Sequence, residues 1–172
     1  DIGTIYAQEY SDEYISSTSA LYDSQYVYNK LTEAAKKKKI PIVSEINDTN
    51  DKITLGDTAV LQIYNYGFDY ETDANGGYKL DRTGKKIRKQ VDDDNENSLG
   101  VLVKDSSGHK AFLAGDICNM DGDEDRLAQI DELKNVDIMK LGHHGYANTG
   151  SETSKMYTSK KDYIYSVTYT HL

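Results

Sequence analysis

Apolar residues along the chain fall into three textures, and each predicts a different kind of element. From about Leu21 to Lys38 the texture is helical: Val27, Leu31 and Ala34 or Ala35 recur along one face, with Tyr22 and Tyr26 extending it. Lys36 to Lys39 close this helix with the charge its carboxyl end favours, and Pro41 lies just beyond. The second texture is the short or alternating run. It predicts strands at Ile2 to Gln8 and Ile40 to Val43, and a hairpin of Lys52 to Leu55 and Thr58 to Tyr64 around Gly56-Asp57. A second hairpin pairs Leu99 to Lys104 with Lys110 to Leu113 around Asp105-Ser106-Ser107-Gly108. The third texture is a strand, a helix and a strand. Ala111 to Gly115 is a buried-looking run that stops at Asp116, Glu124 to Lys134 carries Leu127, Ile130 and Leu133 at helical spacing, and Val136 to Leu141 ends at Gly142-His143-His144-Gly145.

A helix between Ser151 and Tyr157 and a last strand from Asp162 to Thr168 complete the pattern. Gly67 to Asp94 has the least periodicity. It reads as an inserted loop, with a short hairpin around Tyr78 to Ile87 and a basic run, Lys85 to Lys89, answered by Asp92, Asp93 and Asp94. No internal repeat stands out. The order of elements predicts an α/β fold, a mixed sheet with outer helices, in a single domain 1–172 with 67–94 inserted.

The strand–helix–strand unit is where chemistry gathers. A crossover between parallel strands returns the chain to the same edge of the sheet, so both strands end on one side. Neighbouring strands lie about 5 Å apart, which lets the Asp116 carboxylate and a His143 or His144 imidazole reach one ion. Asp121, Asp123 and Asp125 with Glu132 mimic the carboxylate spacing of a calcium loop, but Arg126 stands where that loop needs glycine, and a solvated helix start accounts for them better. His109, beside the second hairpin turn, falls at the far end of its strand from Asp116 and is rejected as a ligand.

Composition narrows the partners. A net charge of −9 argues against nucleic acid held on a general basic surface. The 15 tyrosines, against two phenylalanines and no tryptophan, suit half-buried faces with polar tips better than a carbohydrate-facing surface. The single cysteine, Cys118, excludes an internal disulfide, and no apolar run approaches membrane-spanning length.

The segments FLAGD and VDIMKLGHHG resemble the second half of the metallo-β-lactamase fold. The similar branch holds the hydrolase-like domain of bacterial competence DNA-uptake proteins and the pneumococcal phosphorylcholine esterase. The hairpin ENSLGVLVKDSSGHKAFLAGD resembles that branch too, and the Lys-rich helix and Gly56-Asp57 more loosely. The resemblance implies the second half of an αββα sandwich with two metal ions, zinc or alternatively manganese. Asp116 would bridge the ions, and His143 or His144 would complete the second one. The esterase's loop favours His144, while the Gly-His pattern of other branches favours His143. Asn97 and Ser98 would lie at the substrate rim. By the same resemblance, bound metal makes hydroxide available at neutral pH for attack on a phosphodiester or related ester.

One departure governs the expectation. The family's cluster His-x-His-x-Asp-His has no counterpart here, and four histidines, two of them adjacent, cannot complete a two-metal site. With a chain that begins at Asp1 without methionine, the expectation is a C-terminal half cut from a bacterial hydrolase and inactive by itself; one cysteine fits a reduced compartment as well as a secreted or cell-surface parent. Its partners would then be a small polar ester substrate rather than nucleic acid, and the missing N-terminal half or a second copy of the chain. The alternative is a non-catalytic interaction domain with a degenerate metal site.

Overall fold

The computed structural model describes residues 2–145, 149–150, 153–156 and 164–165. The chain divides into two compact units, Asp1–Ile46 with Gly67–Asp94, and Asn47–Tyr66 with Asn95–Leu172.

In the first unit, strand β1 (Ile5–Tyr6) lies parallel to β2 (Ile42–Val43), and helix α1 (Ser24–Lys38) runs between them in sequence. Lys39 ends the helix in the left-handed conformation (φ 56°) and returns its N–H to the carbonyls of Ala35 and Lys36. The buried side of α1 differs from the apolar stripe. Val27 is 59 % exposed and Tyr26 63 %, while Gln25, Tyr28, Thr32 and Ala35 are turned inward. Specific partners override hydropathy here: the Tyr28 ring packs against Tyr10 at 6.4 Å, and the Gln25 Oε1 accepts the Asp12 N–H at 3.1 Å.

Residues 69–89 are ordered by a closed ring of backbone bonds. The N–H of Glu71 donates to Ile87, that of Ile87 to Lys79 and that of Lys79 to Glu71, each at 2.9 Å. These three residues stand at one constant spacing, so the segment is an internal repeat, contrary to its reading from the sequence. Equivalent positions Tyr70, Tyr78 and Lys86 converge, with Lys86 Nζ 3.7 Å from the centre of the Tyr78 ring and 5.2 Å from that of Tyr70. Arg88 lies against Phe68 and Tyr14 and donates to the Glu9 carbonyl at 3.0 Å.

The second unit is a mixed α/β structure built on one six-stranded sheet in the order β3-β4-β5-β6-β7-β8. The strands are β3 (Lys52–Leu55), β4 (Ala59–Tyr64), β5 (Gly100–Asp105), β6 (Lys110–Leu113), β7 (Ile138–Lys140) and β8 (Ile164–Tyr165). Pairing is antiparallel from β3 to β6 and parallel from β6 to β8. Both hairpins form where the alternation and turn residues place them. Register aligns Leu102 with Phe112 and Phe112 with Met139. These residues make the core with Ile117, Leu127, Leu133 and Val136, all at most 2 % exposed. Each such side chain contributes about 1.5–3 kcal/mol by leaving water. On the opposite face, Leu113 and Ile138 remain 44 % and 49 % exposed.

The helix expected over 124–134 is shorter. Helix α2 covers Asp123–Ala128, and a 3₁₀ turn follows at Asp131–Leu133. Ile130 between them is extended (ψ 117°), a break that lets Leu127 and Leu133 both reach the core. Thr153–Met156 form a 3₁₀ turn, and the rest of the helix expected over 151–157 lies outside the described residues, as do His171 and most of the final strand.

Candidate functional site

The parallel β6–β7 pair places its two carboxyl ends side by side. After β6 the chain passes through Ala114 to Gly115 (φ 56°), where a β-carbon would lie 2.8 Å from the Leu99 carbonyl oxygen. That left-handed turn sends Asp116 out from the sheet end. After β7, Gly142 passes so close to Ile117 that a β-carbon would sit 2.1 Å from its carbonyl oxygen. His143 and His144 follow in left-handed conformations, φ 43° and 56°, uncommon for residues bearing a β-carbon. Gly115 and Gly142 are thus a steric requirement of this packing, and the two loops are joined by the His143 N–H to the Gly115 carbonyl at 3.3 Å.

These loops bring His144 Nε2 to 3.5 Å from Asp116 Oδ1. Lys140, the last residue of β7, reaches the same oxygen with its Nζ at 3.5 Å and also donates to the Gly115 carbonyl. Asp116 therefore stands between an imidazole and an ammonium, about two-fifths exposed at 39 %. The Asp116 N–H donates to Ser98 Oγ at 3.3 Å, which ties the Ser98 hydroxyl to the backbone of Asp116. Asn97 is half-buried beside it, its amide nitrogen enclosed.

A second network supports this edge. Asn65 (φ 56°) donates through Nδ2 to the carbonyls of Ser98 at 3.0 Å and Glu96 at 3.3 Å, and its Oδ1 accepts from Arg126 Nη2 at 2.8 Å. Arg126 Nη2 also donates to the buried Asp123 at 2.6 Å. Glu124, fully buried, accepts the Gly150 N–H at 2.6 Å and the Thr153 hydroxyl at 3.3 Å, holding α2 to the chain beyond the histidine loop. Lys140, Asn65 and Glu124 were not singled out from the sequence. Lys140 carried a usable signal, a charge inside the apolar run Val136 to Leu141, where burial demands a partner; Asn65 carried none beyond its place after an alternating strand.

His109 lies at the other end of β6, bonded within its turn to Asp105 and Ser107. The acidic run is dispersed: Asp123 is held by Arg126, Asp125 by Asn119 and Glu132 by Lys104. Among the described residues, no group of three or more His, Cys, Asp and Glu side chains is gathered as for a metal ion. Catalytic zinc takes three protein ligands and structural zinc four. Asp116 with His144 falls short of both, with an ammonium already beside the carboxylate, so the residues present do not by themselves fit a zinc ion. Among the described residues no helix is long and apolar enough to cross a membrane. No family model matches the chain, and no curated protein matches it.

Proposed function

We propose that this chain carries the second-half residues of a metal-dependent hydrolase of the metallo-β-lactamase type, acting on phosphodiester or related ester bonds, and that it is inactive alone. The observation that supports this reading is the approach of His144 Nε2 to within 3.5 Å of Asp116 Oδ1. It occurs at the ends of two adjacent parallel strands, on the motifs that resemble the family's Gly-Asp and His-His pairs. Asp116, His144 and His143 supply at most three ligands between them. The others would come from a His-x-His-x-Asp-His half or a second copy of the chain. The chain's charge of −9 favours a small polar ester over a nucleic-acid strand.

Zinc calorimetry on the wild type and three variants tests the reading, alongside hydrolysis of bis(p-nitrophenyl) phosphate. Weak binding should vanish in Asp116→Ala and His144→Ala and persist in His109→Ala, with no turnover by the chain alone. Tight binding that survives Asp116→Ala, or zinc-dependent hydrolysis by this chain, contradicts it.

Lys140 favours a second reading, a non-catalytic interaction domain whose metal position is degenerate. Its ammonium already supplies the positive charge beside Asp116. On that reading Lys140→Met releases the carboxylate and raises zinc affinity. On the first, the same change loosens the Gly115–Asp116 turn and lowers it.

A further inference from the structure

A cavity of about 400 Å³ in the second unit has charges of both signs on its wall. Asp48, Asp51, Lys52, Gln62, Tyr66 and Arg126 are among its lining residues, with Tyr64, and neither Asp116 nor His144 is. The Tyr66 hydroxyl donates to Asp48 Oδ1 at 2.7 Å and lies 3.4 Å from Asp51 Oδ2, while Gln62 Nε2 donates to Asp51 Oδ2 at 3.3 Å. Asp51 is 5 % exposed. Among the described residues neither carboxylate has an ion-pair partner: the direct contacts of the two are with neutral donors, although Lys52 also lines the cavity. A carboxylate pair arranged in this way attracts a cation.

The turn that carries the carboxylates is fixed in advance. Asn50 Oδ1 accepts the Asn47 N–H at 2.9 Å, Asn47 Oδ1 accepts the Thr49 N–H at 2.9 Å, and the Asp51 N–H donates to the Asn47 carbonyl at 3.0 Å. Arg126 brings the opposite charge. Its bonds to Asn65 and Asp123 both use Nη2, and a guanidinium has five N–H donors, so Nη1 and Nε keep donors for a ligand. The side chain is 60 % exposed, which leaves it reachable. A volume of about 400 Å³ is at the small end of the range for small-molecule sites, about 300–1,000 Å³, and suits a molecule of amino-acid size.

We propose that this cavity binds a small zwitterion, its ammonium held by Asp48 and Asp51 and its anionic group by Arg126. Tyr64 supplies an aromatic wall between polar groups, and the Tyr66 hydroxyl keeps the carboxylates in place. The site is separate from the proposed hydrolase edge, and its success or failure leaves that reading untouched.

Calorimetry at low ionic strength with glycine, β-alanine, 4-aminobutyrate and 6-aminohexanoate varies the separation of the two charges. Butylamine and butyrate serve as single-charge controls. At least one zwitterion should bind about tenfold tighter than either control, since each charge-assisted bond adds about that factor. Asp48→Asn and Arg126→Gln should each weaken it by about tenfold or more. Asp48 is exposed, so its variant keeps the fold and remains informative if Arg126→Gln is destabilised. The proposal is overturned if no zwitterion outbinds the controls, or if binding is unchanged in Asp48→Asn.

Discussion

A β-carbon on Gly142 would meet the Ile117 carbonyl oxygen at 2.1 Å, a distance that neither backbone can relieve without moving β7 or the loop after Asp116. Gly142→Ala should therefore destabilise the protein by about 3 kcal/mol or more, the range of severe packing and strain defects. Gly3, with nothing within 4 Å of its β-position, is the matching control, and Gly3→Ala should be close to neutral. Urea unfolding of the two variants checks this; equal midpoints would mean that the loops are not pressed together. The same contact explains why His143 and His144 accept left-handed backbones, each at a cost of about 1–2 kcal/mol. Once Gly142 is pinned against Ile117, the chain must turn sharply to continue, and the two histidines absorb the turn.

Turns repeat one device at the scale of elements. In Asp73–Gly77, Asp81–Lys85 and Asp105–His109, the aspartate carboxylate takes the N–H groups two and four residues on, and a glycine at positive φ follows in fourth place. The Ser107 hydroxyl, with the His109 N–H behind it, holds the Asp105 carboxyl down to about 2. An ordinary aspartate titrates near 3.9, so the turn's contribution is whole above about pH 4 and is lost as pH falls from there through about 2. Asp105→Asn keeps an acceptor but no charge. Its urea midpoint should lie below that of the wild type at pH 7, and the gap should close by about pH 2. A gap that stays constant with pH would remove the carboxylate from the account.

Both hairpins, the parallel pairing of β6 with β7 and the shared edge of Asp116 with the histidines were readable from the sequence, because alternation, turn residues and crossover topology act locally. The repeat in residues 69–89 was not. Tyr70 and Tyr78, Asp73 and Asp81, and Gly76 and Gly84 do recur, but at a period that is neither helical nor strand-like, and the third unit departs from it with Lys86 in place of tyrosine. The inward face of α1 departs from its apolar stripe for a related reason. Tyr28 and Gln25 find named partners there, and hydropathy does not register a partner. Which histidine approaches Asp116 also depended on backbone: the left-handed turn at His143 spends that residue on direction and delivers His144 to the carboxylate.

Taken as a whole molecule, the chain brings Asp116, Lys140 and His144 together at one sheet edge and leaves apolar side chains exposed on the sheet's outer face. Leu113 and Ile138 lie on the outer face of β6 and β7 and remain about half exposed at 44 % and 49 %, Leu113 next to the edge that carries Asp116 and Ile138 toward the opposite end, beside Lys110 and Asp137. A first half or a second copy that supplied the further ligands of the proposed hydrolase and also covered Leu113 would serve both needs. Everything in that account depends on Asp116 and His144 acting as one site. Titration with paramagnetic cobalt(II), followed by amide and imidazole NMR, reads this residue by residue. Resonances of Gly115, Asp116 and His144 should broaden first and together, and Asp116→Ala should abolish the effect, while His109 remains sharp. Early broadening at His109, or at the acidic run around Asp121 to Asp125 with His144 unaffected, would contradict the account.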